Sequence, residues 1–169
     1  AKRSLIVENA HHIISSEPLQ KGGKTDDFFF LESDGDAAQK LVCDLVTTRL
    51  PRSYGFDPVR DIKVLCPTKL GPTGTQALNV ELQNLLNPEQ KGKPQLQSAS
   101  RVFRVGDKVM QVRNNYEIVW NRIGGEQGVG AYNGDIGIVE YINMRDRSMV
   151  VRMDDRRLLY PAENLNELE

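Results

Sequence analysis

The window from Arg101 to Arg122 holds the residues with the most capacity for binding chemistry: Arg101, Arg104, Lys108, Arg113 and Arg122 stand against Asp107 and Glu117. Interleaved with these cations are Tyr116, Trp120 and the side-chain amides of Gln111, Asn114, Asn115 and Asn121. Cations suit phosphates, and an aromatic face suits a stacked base at about 1 to 3 kcal/mol per base, so the mixture fits a single nucleic-acid strand. The same residues fit a second reading, in which Tyr116 and Trp120 plug a small fold and the cations form a solvated rim. Composition leaves both open. A further anion-facing candidate is Lys69-Leu70-Gly71-Pro72-Thr73-Gly74-Thr75, between a strand candidate and a helix candidate, where backbone amides face outward. It lacks the lysine that a GxxxxGK[ST] phosphate loop carries after its second glycine, and Pro72 removes an amide. It reads as a turn and helix cap that can still lay Thr68 and Lys69 against a nucleic-acid backbone.

Catalysis is not written into these residues. Neither a phosphate loop with an acidic magnesium ligand nor a Ser-His-Asp or Cys-His arrangement stands out, so the chain by itself is expected to be inactive. His11 and His12 are adjacent, hence about 100° apart on a helix, and no carboxylate or cysteine is spaced to join them in a metal site. Cys43 and Cys66, far apart in the chain, read as buried thiols of a reducing compartment. A net charge of -1 over 169 residues excludes a globally basic nucleic-acid binder but not a local patch. With 39% hydrophobic and 27% charged residues, a core is affordable and disorder is not indicated. No apolar run approaches the roughly 18 residues of a membrane span, which points to a cytoplasmic protein without a membrane partner. The first residue is Ala1, which suggests a piece of a longer chain.

The elements that must position these residues fall into two groups. Helical spacing over Arg3 to Ile14 follows an N-cap at Ser4, and Pro18 to Asp27 reads as a surface loop. Phe28-Phe29-Phe30-Leu31 and Ile62 to Cys66 are continuous apolar runs of the kind buried in a parallel sheet. Between them Ala37, Ala38, Leu41, Val42, Leu45 and Val46 form a helical stripe that Pro51 is expected to stop. Thr73 to Leu86 places Leu78, Leu82, Leu85 and Leu86 on one face before Asn87-Pro88. Strand, helix, strand, helix predicts a βαβα unit.

Residues 89–100 read as a linker, with a boundary near Ser100. Beyond it, strands are predicted at Val109 to Val112, Asp135 to Ile142, Ser148 to Met153 and Arg156 to Tyr160, the last three an antiparallel meander, in a barrel of about five strands. Val105-Gly106-Asp107 and Asn133-Gly134-Asp135 lead into two of these strands. The glycines supply positive φ, with Asn114, Asn115 and Asn133 the non-glycine residues best able to share it.

The runs FRVGDKVMQVRNNY, YNGDIGIV and RLLYPAENLNELE, preceded by KVLCPTKLGPTGTQALNVELQNLLNP, resemble in order the RecD-like family of superfamily 1 DNA helicases, which includes the exodeoxyribonuclease V alpha subunit. The resemblance implies α/β plus all-β architecture. Residues 1–100 would be part of the second RecA-like motor domain, a parallel α/β fold, and residues 101–169 its inserted SH3-like antiparallel barrel. It implies an ATP-driven 5′ to 3′ DNA helicase of recombination and repair. ATP and Mg2+ would be held elsewhere in the parent chain, with no cofactor in this segment. Partners would be single-stranded DNA, the remaining helicase domains and recombination-complex subunits. In the family the text matching VLCPTKLGPTG lies under the passing strand. Pro67, Thr68, Lys69 and Gly71 match its pattern, and Leu70 stands where a basic residue is usual. The candidate nucleic-acid contacts are Thr68, Lys69, Arg113, Asn114, Asn115, Tyr116 and Asn133. Asn121 to Ala131, longer and richer in glycine than the family's link, reads as a flexible tip. The alternative is a non-catalytic structural or protein-interaction module bracing the motor.

Overall fold

The computed structural model describes residues 4–23 and 25–169. The expected first helix began at Arg3 and the expected loop included Lys24; both lie outside the described residues. Helix α1 spans Leu5–Ile14, capped by Ser4, whose side chain accepts from the Val7 N–H. Asp27 completes the cap by accepting from the Ser4 hydroxyl at 2.6 Å and the Leu5 N–H at 2.8 Å. The Ser4 bond and the backbone donors hold its carboxyl below the ordinary range despite partial desolvation.

Helix α2, Gly35–Asp44, runs through a π turn at Leu45–Arg49 into α3, Leu50–Tyr54. The expected stop at Pro51 does not occur. The widened turn just before it accommodates a residue without an N–H, and the helix ends instead at Gly55, with φ of 72°. The expected strands at 28–31 and 62–66 are chain without ladder partners. Phe29, Phe30, Leu31 and Leu65 are exposed there, so the parallel pairing that such runs were expected to form is absent among the described residues. Helix α4 is Thr75–Leu86, and of its apolar stripe only Leu78 is fully buried. No described helix is long and apolar enough to cross a membrane.

The core belongs to the β region. Strands β1 (Gln95–Ser98) and β2 (Arg101–Arg104) form a hairpin, so the stretch expected as linker contains a strand. Strands β3 (Lys108–Met110), β4 (Asn115–Arg122), β5 (Gln127–Ala131), β6 (Ile136–Asn143), β7 (Ser148–Met153) and β8 (Arg156–Tyr160) make an antiparallel sheet. Its order is β3-β6-β7-β8-β4-β5. The short connections after β6 and β7 give the expected meander, and a 3-10 turn at Ala162–Glu167 follows β8. Leu96, Phe103, Val109, Ile118, Val139, Met149, Val151, Met153, Leu158, Tyr160, Leu165 and Leu168 share one core. Alternation in β7 buries Met149, Val151 and Met153, as period-two patterning requires.

Both Gly-Asp units form the same turn. The Asp107 N–H donates to the Arg104 carbonyl at 3.0 Å and the Asp135 N–H to the Tyr132 carbonyl at 2.9 Å. Each carboxylate then accepts from the first residue of its turn, Arg104 N–H at 2.7 Å and Tyr132 N–H at 3.0 Å. Gly106 and Gly134 carry the positive φ, 94° and 95°. The asparagines do not share it; the described non-glycine residues at positive φ are Ser16, Ala99, Arg147 and Asp154. The strands that follow pair with each other, Val109 opposite Gly137.

Helix α4 docks on the first turn through amides. Gln83 Nε2 donates to Asp107 Oδ2 at 2.6 Å and Asn87 Nδ2 to Asp107 Oδ1 at 2.6 Å. Arg104, itself buried, donates to Asn84 Oδ1 at 3.2 Å and to the Asn87 carbonyl at 3.1 Å.

Candidate nucleic-acid interface

Arg113 follows Gln111, just past the end of β3. Gln111 is fully buried and has all its side-chain polar atoms engaged. Its Nε2 donates to the Arg113 carbonyl at 2.8 Å and to Glu167 Oε2 at 2.9 Å, while its Oε1 accepts from the Tyr160 hydroxyl at 2.9 Å. Burial, with Glu167 nearby, raises the Tyr160 phenol well above its ordinary range, so it acts as a donor.

Glu167, 2% exposed, is the acceptor around which the segment turns. It receives Arg113 Nη2 at 2.8 Å, Asn115 Nδ2 at 3.0 Å and Asn164 Nδ2 at 2.8 Å, besides Gln111. Burial pushes its carboxyl up, but the bonds from Asn164, Asn115, Arg113 and Gln111 outweigh that and hold it below the ordinary range. The carboxylate therefore stays charged at neutral pH.

Above this network lies an exposed aromatic pair. Tyr116 is 65% exposed and Tyr132 46%, with ring centroids 6.1 Å apart and planes at 75°. The Asn133 N–H donates to Asn114 Oδ1 at 2.9 Å, joining the second Gly-Asp turn to the residue beside Arg113. The Arg113 side chain is 58% exposed and uses only Nη2, on Glu167 and Asn166; its Nε and Nη1 meet no described partner. Next to this patch an open groove of about 220 Å³ is lined by Asn115, Glu117, Ile118, Val119, Leu159, Pro161 and Asn164.

The structure thus brings Arg113, Asn114, Tyr116 and Asn133 together on one surface. Asn115 lies beneath them with both side-chain ends engaged, its Nδ2 on Glu167 and its Oδ1 accepting the Glu117 N–H at 2.9 Å. Thr68 and Lys69 sit elsewhere, on the exposed loop before α4. There the Thr68 hydroxyl closes a turn with Leu70, and Gly74 leaves no room for a side chain, since an added Cβ would lie 2.5 Å from the Leu70 carbonyl oxygen. That loop reaches the β region through Thr75, whose hydroxyl donates to Glu169 Oε1 at 3.1 Å. The two groups therefore attach to the same C-terminal segment, one at Glu169 and one at Glu167.

The basic window is largely spent inside the protein. Arg101 donates to the Leu168 carbonyl at 2.5 Å, Lys108 to the Ile62 carbonyl at 3.0 Å, and Arg122 pairs with Glu126 and Asp155. Trp120 is half-buried, packs on the core opposite Gly128 and lies beneath the Arg122 and Arg156 guanidiniums. The reading in which aromatic residues plug the fold holds for Trp120, and Tyr116 faces solvent. Among the described residues no group of His, Cys, Asp and Glu is placed to hold a metal ion. Cys43 and Cys66, expected as buried thiols, are free and only partly buried.

Residues 78–153 match the family model described as the SH3 domain of ATP-dependent RecD-like DNA helicases. The ATP-dependent RecD2 DNA helicase of Deinococcus radiodurans is 30% identical over 139 residues, covering 82% of this chain and 16% of that protein. The chain belongs to the RecD-like helicase family. It spans about a sixth of the length of that relative.

Two residues of the candidate site, Tyr132 inside the matched RecD-like SH3 domain and Glu167 beyond it, escaped sequence reasoning. Tyr132 stood in a quoted motif, but its partnership with Tyr116 crosses 16 positions and depends on the pairing of β4 with β5, Asn115 opposite Ala131. Glu167 offered no signal, because a single acid in a polar C-terminal run cannot be told from a solvated one. The 121–131 stretch, expected as a flexible tip, is the β4–β5 hairpin, turning at Gly124 and Gly125 with φ of 119° and 95°.

Proposed function

We propose that this chain is the barrel-bearing part of the second motor domain of an ATP-dependent 5′ to 3′ DNA helicase acting in recombination and repair, and that it contributes single-strand contacts. The observation that carries the reading is the exposed Tyr116–Tyr132 pair beside the half-free Arg113 guanidinium, in a domain of a helicase family. The exposed tyrosine rings offer stacking surface, and the unengaged guanidinium N–H groups offer a phosphate charge-assisted hydrogen bonds. Thr68 and Lys69 would add backbone contacts from the loop before α4. Residues 1–100 would belong to the RecA-like fold; the apolar runs at 28–31 and 62–66, which lack ladder partners and leave Phe29, Phe30, Leu31 and Leu65 exposed, support this. ATP and Mg2+ would be bound by other parts of a cytoplasmic parent, with the remaining helicase domains and recombination subunits as partners.

Titration of the folded chain with labelled single-stranded DNA at about 50 and 200 mM salt tests this, a range over which phosphate contacts weaken markedly. Arg113→Ala is expected to reduce the salt slope by about one and Tyr116→Ala to weaken binding about tenfold. Absence of salt-sensitive binding in a folded sample would falsify the contact role. The bracing alternative draws on the exposed Val119, Ile123 and Val129 of the β4–β5 hairpin, a surface suited to protein. It predicts no DNA binding and retained helicase assembly.

A further inference from the structure

We infer that Glu167 is a positioning residue, which anchors Arg113 through Nη2 and so holds its unengaged guanidinium N–H groups in place for a nucleic-acid phosphate; the inference rests on the contact reading above. Arg113 is gripped at two points. Its carbonyl accepts from Gln111 Nε2 at 2.8 Å, and its Nη2 donates to Glu167 Oε1 at 2.8 Å. The grip is itself fixed, since Glu167 is 2% exposed and is held by Gln111, Asn115 and Asn164. Its backbone joins in as well: the Val112 N–H donates to the Glu167 carbonyl at 2.8 Å. Residues 111, 112, 113 and 115 are therefore all registered by one residue more than fifty positions later in the chain.

The chemistry favours orientation over simple neutralisation. A free arginine side chain loses much rotamer freedom when it binds a phosphate, and anchoring one nitrogen beforehand removes part of that loss. Only Nη2 is occupied, while Nε and Nη1 meet no described partner. The three amide donors keep the buried carboxylate charged and fix its position, so Arg113 Nη2 is held by an acceptor that cannot swing with it.

A double-mutant cycle read in single-stranded DNA affinity and salt slope decides the matter. Glu167→Gln is expected to weaken binding about fivefold in the parent chain and to have no further effect when Arg113 is already alanine. Far-ultraviolet circular dichroism and thermal unfolding monitor the fold. Should Glu167→Gln fail to fold, Asn164→Ala removes one donor from the carboxylate and keeps its charge. Its smaller loss, about twofold, should likewise vanish with Arg113→Ala. Equal losses in both backgrounds overturn the inference, because Glu167 would then act on the fold and not through Arg113. Tighter binding by Glu167→Gln overturns it too, marking the carboxylate as a competitor of phosphate. If Arg113→Ala leaves affinity and salt slope unchanged while Tyr116→Ala weakens binding, the contact assigned to Arg113 fails, and the inference with it.

Discussion

The two Gly-Asp turns share a backbone and differ in what they face. At Asp107 the carboxylate is buried and receives Gln83 and Asn87 from α4 along with the Arg104 N–H. At Asp135 the carboxylate is half-exposed, receives the Tyr132 N–H and lies 3.4 Å from Arg156. The same four-residue device therefore ends in an internal joint in one place and in an open surface carrying Tyr132 and Asn133 in the other. Local sequence encodes the turn, and what the turn is used for depends on which element arrives opposite it.

Unequal truncation losses are the largest expected difference. Asp107→Ala leaves three donors short of an acceptor and should cost about 3 kcal/mol in chemical denaturation, against about 1 kcal/mol for Asp135→Ala. Similar losses at the two sites would break the comparison. Function should divide the other way. Tyr132→Ala is expected to weaken single-strand binding about tenfold with little change in unfolding, while Gln83→Ala lowers stability and leaves binding within about twofold.

Acid sharpens the contrast further, because the second turn leads through the Gln111 N–H, bonded to the Asp135 carbonyl at 2.8 Å, to Glu167. The folded-state pKa of Glu167 is lowered, so its stabilising contribution is complete above the ordinary glutamate value of 4.5 and is lost as pH falls below it toward the folded value. Unfolding free energy measured against pH should fall over that window, and less steeply in Glu167→Gln. The smallest difference concerns the glycines. Gly106→Ala and Gly134→Ala should each cost about 1 to 2 kcal/mol, since both glycines carry a φ near 95°. The two losses should agree to within about 0.5 kcal/mol.

The meander was legible because β7 and β8 alternate and their connections are short, and both spans fall where the pattern put them. The glycines at positions 106 and 134 were legible for a related reason, a local conformation that few other residues adopt. The β4–β5 hairpin was not, because Gly128 and Gly130 interrupt its alternation. Gly128 serves packing across strands: a Cβ there would lie 2.3 Å from the Trp120 ring. Pro51 misled because a π turn upstream changes what a proline costs. The apolar runs at 28–31 and 62–66 show a further limit, since a run can announce a buried strand without naming its neighbour. At the candidate site the exposed Tyr116 was readable as an aromatic among cations. Its setting depends on long-range contacts to Tyr132 and, through Asn115, to Glu167, and no window of sequence displays those.

The pairing of β3 with the C-terminal segment has a mechanical consequence. Met110 and Glu169 exchange both backbone hydrogen bonds, at 2.7 and 2.9 Å, and Arg101 reaches the Leu168 carbonyl. The strand leading into the sheet and the segment leaving it are thus zipped side by side. Tension that pulls these two apart meets their bonds one after another, as in opening a zipper, instead of loading them together in shear. A pull on this neck would therefore separate it at low force while the meander behind it stays folded, making the neck a compliant joint between the barrel and whatever holds its ends.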